Sequence, residues 1–139
     1  MLFRSEDAIV ENRRGFAEAA AAGSSPLDAL RIAGVNALRD AHGDNGCIEL
    51  DLIIAASRNG GELTELYRRV HGDIVATLAG MVRAAQASHE IGAQLDPDLL
   101  ARVLLGMVNG LRLEMIDPET DLDPERAIDL IGTLLQATA

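Results

Sequence analysis

The sequence predicts an all-α domain of six helices. Three observations carry that prediction. Aromatic residues are almost missing, at 2% of a chain that is 48% apolar. Its core must therefore be aliphatic, and strands lean on aromatic and β-branched residues where helices do not. Three acid-or-serine plus proline pairs, Ser25-Pro26, Asp96-Pro97 and Asp123-Pro124, read as helix starts. Apolar positions repeat with a helical period, and no stretch alternates with period two for long enough to make a strand.

The expected helices run over about 5–22, 26–42, 47–58, 62–89, 97–116 and 124–137. The first closes on an Ala-rich stretch before Gly23-Ser24. The second, fifth and sixth open on the capping pairs. There the cap oxygen accepts an orphan N–H, and proline at the first helical position has none to lose. An acid follows each start (Asp28, Asp98, Glu125), as the positive end of a helix dipole favours. Gly43–Gly46, Asn59–Gly61 and Gly92 mark the other breaks. Linkers are short, so residues 1–139 read as one domain.

Two helices are ordinary half-buried elements. On 26–42, Leu27, Leu30, Gly34, Ala37, Leu38 and Ala41 share a face. On 62–89 a broad stripe runs from Leu63 and Leu66 through Ile74 and Leu78 to Ala85. Helix 97–116 differs, because its apolar residues point in nearly every direction. A helix of that kind is buried all round. Either it is the central helix of a monomer, or its second apolar side meets a partner. Helix 124–137 also carries a wide apolar arc, so the two together predict a homodimer interface over Leu104, Val108, Leu111, Met115, Ile128, Ile131 and Leu135. Gly106 and Gly110, four apart, would let two backbones approach.

Charge and cysteine content narrow the function. Twelve cations, all Arg, stand against 22 acids, for a net charge of −10. Such a chain repels a phosphate backbone and is not expected to bind DNA by itself. A lone Cys47 excludes an internal disulfide and fits a reducing cytoplasm; it reads as a small buried hydrophobe. Arg4, Glu6, Asp7 and Glu11 interrupt any apolar signal region, and no apolar run reaches membrane-spanning length.

Catalytic patterns are missing. There is no phosphate-cradling Gly-rich loop, no Gly-x-Ser-x-Gly and no His-Glu-x-x-His. His42, His71 and His89 have no ligand partners at metal spacing, so neither a metal nor a cofactor is expected. The acidic stretch Asp117–Glu125 alternates oxygens like a calcium loop but lacks the required Gly and Glu. It reads as a solvated loop with its own cap.

Polar groups on apolar faces are the better clue. Tyr67 and His71 lie one turn apart, Glu49 sits among Leu52 and Ile53, and Asn109 interrupts helix 97–116. Such groups either bond within a solid core or line a ligand cavity. The cavity reading adds Met81 and Met107 as adaptable walls and predicts a small hydrophobic or amphipathic ligand. It places the pocket between helices 47–58, 62–89 and 97–116.

The order of motifs resembles the regulatory domain of TetR/AcrR-type transcriptional regulators. Phe3-Arg4-Ser5-Glu6-Asp7 is similar to the junction after that family's recognition helix, with Glu6 in place of the usual Lys. The stretch from Glu49 to Leu63, with Ala55, Arg58 and Glu62, resembles the family's short apolar helix and the restart after it. Gly92 to Ala101 resembles the entry to its penultimate helix, and Asn109-Gly110-Leu111 its Asp-Gly-Leu. The resemblance implies a six-helix orthogonal bundle, a dimer through the last two helices, an effector pocket, and no enzymatic activity. It also implies that DNA is bound only through an N-terminal helix-turn-helix, with Met1 standing where that segment would be ending. A helical dimeric scaffold without a small ligand is the alternative.

Overall fold

The structure, a computed structural model, describes residues 2–39, 54–55, 57–58 and 60–139; for residues 2–6 and 8 it describes the backbone only. Among these residues the regular secondary structure is all helix. The helices are α1 (Leu2–Ala22), α2 (Pro26–Arg39), α3 (Glu62–Ala87), α4 (Pro97–Glu114) and α5 (Pro124–Gln136). The helix expected over 47–58 lies outside the described residues except at 54–55 and 57–58, which are helical. Glu49 and Cys47 lie outside them altogether.

The three capping pairs act as their chemistry dictates. Ser25 Oγ accepts from the Asp28 amide at 3.1 Å. Asp96 accepts from the amides of Asp98 and Leu99 at 2.9 and 3.2 Å. Asp123 accepts from the Glu125 amide at 3.0 Å. Each bond satisfies an N–H that the helix itself cannot.

The end of α3 falls within two residues of the expected one, but what stops the helix differs. The helix stops at Ala87, five residues before Gly92, because His89 takes a left-handed conformation with φ 62. The His89 amide then donates to Gln86 O and the Glu90 amide to Ala85 O, at 3.0 and 2.9 Å. This pair of crossing bonds closes the helix end. Glycine usually fills such a position, so a histidine there hides the break from sequence reading.

Helix α2 is the hub. It packs against α1, α3, α4 and α5, while α3 packs along α4 and against α1. Three apolar clusters hold the bundle. The largest joins Leu66, Val70, Ile74 and Leu78 of α3 to Ala101 and Leu105 of α4. A second sets Leu27 of α2 against Ala85 and Ile91. The third joins Val35 and Leu38 of α2 to Ile128 of α5. Gly34 makes the α2–α5 approach possible: a Cβ there would stand 3.0 Å from Ile128 Cδ1.

Helix α4 is not buried all round. Ala101, Leu105 and Arg112 are its buried residues. Its other side exposes Leu99, Val103, Met107 and Leu113, the turn after it exposes Ile116, and α5 exposes Leu130 and Leu134. The spacing of Leu99, Val103 and Met107 is one turn each, so they form a stripe.

Candidate functional site

Small side chains on one face of α2 create the site. Ala33, Gly34 and Ala37 leave space where larger residues would fill it. Leu104, Leu105 and Val108 of α4 and Ile128, Ile131 and Leu135 of α5 face that space. Phe16 of α1 and Ile74 and Leu78 of α3 complete the wall. The result is a partly open cavity of about 110 Å³ with an almost wholly apolar lining. Leu/Ile/Phe-lined cavities on the order of 150 Å³ stay dry and admit a small apolar molecule. Arg31 at its edge has its charge balanced by Asp28 at 3.1 Å and Asp129 at 3.8 Å.

A second, wider chamber of about 270 Å³ adjoins the first. The two share Phe16, Ala33, Ala37, Ile74, Leu105 and Val108. The wider chamber is mixed in polarity: Asn12, Asn36 and Arg112 line it, with Glu11, Arg14 and Glu18. Arg14 donates to Glu11 at 2.6 Å, which holds its guanidinium firmly protonated.

The residues predicted from sequence fall on different surfaces. Leu104, Val108, Ile128, Ile131 and Leu135, expected to face a partner, line the cavity. Leu111 packs against the Val35–Leu38–Ile128 cluster, and Met115 is buried. Of the expected ligand contacts, Tyr67 and His71 pair with each other. Tyr67 Oη lies 3.4 Å from His71 Nδ1, and the rings stack at 5.2 Å. Tyr67 and Met81 pack on the α3–α4 core. Met107 is 38% exposed on the outer side of α4. Asn109 Oδ1 is buried without a hydrogen bond among the described residues. None of these five lines either chamber.

The turn after α3 packs against residues of the cavity wall. Leu27 and Ile91 meet there, with Leu30 and Leu135 packed against them. Glu90 anchors the turn to α2. Burial pushes its carboxyl upward, but hydrogen bonds from Ser88, Ser25 and the Leu27 amide more than offset this and hold it below its ordinary value.

Sequence reading missed Phe16, Ile74 and Arg112. The run of small residues on α2 was the available signal for a cavity. Arg112 gave none, because an Arg on an apolar helix looks like a solvated one.

Among the described residues no group of three or more His, Cys, Asp or Glu is placed to hold a metal ion. No helix among them is long and apolar enough to cross a membrane. The family described as the C-terminal domain of BetI-type transcriptional repressors matches residues 52–139. The chain belongs to this family. It is thus a TetR-type regulatory domain, and the match takes in α3, α4 and α5. Helices α1 and α2, which lie ahead of the matched span, supply much of the cavity wall. No curated protein and no solved structure matches the chain.

Proposed function

We propose that this TetR-type domain binds a small hydrophobic or amphipathic effector in the α2–α4–α5 cavity and dimerises through the outer faces of α4 and α5. The observation that carries this reading is the division of α4 into two apolar sides. Leu104, Leu105 and Val108 face the cavity, and Leu99, Val103 and Met107 face outward. Helices α4 and α5 do not pack along their lengths, and each rests on α2. A molecule seated between them would favour one spacing of the two helices over another. Because the same helices present the exposed stripe, that preference would pass to a partner chain. A ligand shifts an equilibrium by its difference in affinity for the two arrangements. DNA would be bound through an N-terminal helix-turn-helix in the same polypeptide, and a change in dimer geometry would alter the spacing of two such heads.

The test has two arms. Light scattering at about micromolar concentration should return twice the 14.7 kDa chain mass. Small hydrophobic compounds should raise the melting temperature, and Val108→Phe, which fills the cavity, should remove that response. A monomer that no compound stabilises would overturn the reading.

A further inference from the structure

The geometry points to a carboxylate as the head group of the effector, held by Arg112 while a short apolar tail fills the inner cavity. This rests on the cavity being the effector site, as proposed above. Arg112 is only 7% exposed and is the buried charged residue of the described fold. It stands in the wall of the wider chamber, which shares Phe16, Ile74, Leu105 and Val108 with the apolar one. A molecule lying across both chambers therefore has its tail among aliphatic side chains and its head beside a guanidinium.

The other charges of the site cannot play this part equally well. Glu11, Arg14 and Glu18 sit on the exposed face of α1, and Arg14 is bonded to Glu11. Arg31, which lines the apolar cavity, is exposed to solvent, whereas Arg112 is buried. Arg112 also engages the protein. Its planar fork carries five N–H donors in a geometry that matches a carboxylate. A carboxylate meets that fork with two parallel hydrogen bonds, and a low-dielectric wall strengthens them. The net charge of −10 opposes an approaching anion only at long range. At physiological salt that field is screened beyond about 8 Å, whereas contact with a buried guanidinium is not. Inner volume limits the tail: about 110 Å³ suits a few carbons rather than a long acyl chain.

Three probes with one tail test this: hexanoate, hexan-1-ol and hexylammonium, titrated calorimetrically into the chain. Hexanoate should bind about tenfold tighter than hexan-1-ol or better, with hexylammonium weakest. Arg112→Met should bring hexanoate down to the level of the alcohol and leave the alcohol unchanged. Should that variant fail to fold, Arg112→Lys keeps the charge without the fork and should remove most of the preference. A preference for hexanoate that survives both substitutions overturns the assignment. So does equal binding of acid and alcohol, or tightest binding of hexylammonium, which would hand the head group to Glu11 and Glu18. If none of the three binds, the cavity itself fails as an effector site and the carboxylate falls with it.

Discussion

The Glu90 carboxylate accepts a 2.7 Å hydrogen bond from Ser25 Oγ, across 65 positions of sequence. Ser25 caps α2, so the turn after α3 carries a negative charge to the positive end of the hub helix. The Leu27 amide at 3.3 Å and Ser88 Oγ at 2.6 Å complete the carboxylate's partners. One side chain thus ties the helix that walls the cavity to the turn after α3.

Replacing Glu90 by Gln should cost about 1 kcal/mol at neutral pH, the usual worth of a helix cap. It should also change the response to acid. Folding lowers the Glu90 pKa, so its contribution is fully present above the ordinary value near 4.5 and is lost as pH falls through the lower folded value. Urea denaturation at neutral pH and at progressively lower pH checks both. The gap between the parent chain and the Gln variant should narrow as the medium becomes acidic.

His89→Gly should stabilise the domain. A non-glycine residue in the left-handed region carries strain of about 1–2 kcal/mol, and glycine avoids it. The greater freedom of glycine in the unfolded chain takes back part of that, leaving a gain of about 0.5–1 kcal/mol. A rise in urea midpoint with an unchanged slope is the expected result. His89→Val, β-branched at the same backbone angle, should move the midpoint the other way.

The starts of α2, α4 and α5 were legible because a cap-proline pair is a local signal, complete within two residues. Belonging to the TetR family was legible from the order of several weak motifs. What stops α3 was not, because His89 occupies a glycine's conformation. Nor were the faces of α4. Val103 and Leu104 are neighbours of similar character, yet one is exposed and the other lines the cavity. With apolar residues on every side, the sequence of α4 carries no pattern that separates an inner face from an outer one. Tyr67 and His71 stood out as polar groups on an apolar stripe. The structure has them in contact with each other, as polar side chains one turn apart allow.

Gly92→Ala should loosen the C-terminal end of α5. A Cβ at Gly92 would stand well inside contact distance of Thr138 O. The Gly92 amide also donates to Thr138 Oγ1 at 2.9 Å, and Gln94 Nε2 donates to Thr138 O at 3.1 Å. Both hydrogen bonds cannot survive the extra carbon. Overpacking of this kind costs about 1–3 kcal/mol. Amide exchange should quicken at Ala137 and Thr138, whose N–H groups close the last turn of α5, more than in the middle of α3.

The two sides of α4 make the final prediction sharp, because adjacent substitutions should have opposite consequences. Val103 is 49% exposed, so Val103→Glu places its charge in water in the isolated protomer and should leave the fold intact. If α4 meets a partner through that stripe, the same charge becomes buried and unpaired on association, at a cost of several kcal/mol. The protein should then remain helical but weigh as a monomer. Leu104 lines the cavity, so Leu104→Glu puts the charge against apolar side chains of the same chain. That cost falls on folding itself, and a domain's whole stability is only about 5–15 kcal/mol. Leu104→Glu should therefore lower the melting temperature sharply whatever the association state. Circular dichroism and light scattering on the two variants check the pair. A folded dimer of Val103→Glu would remove the outer face of α4 from the interface.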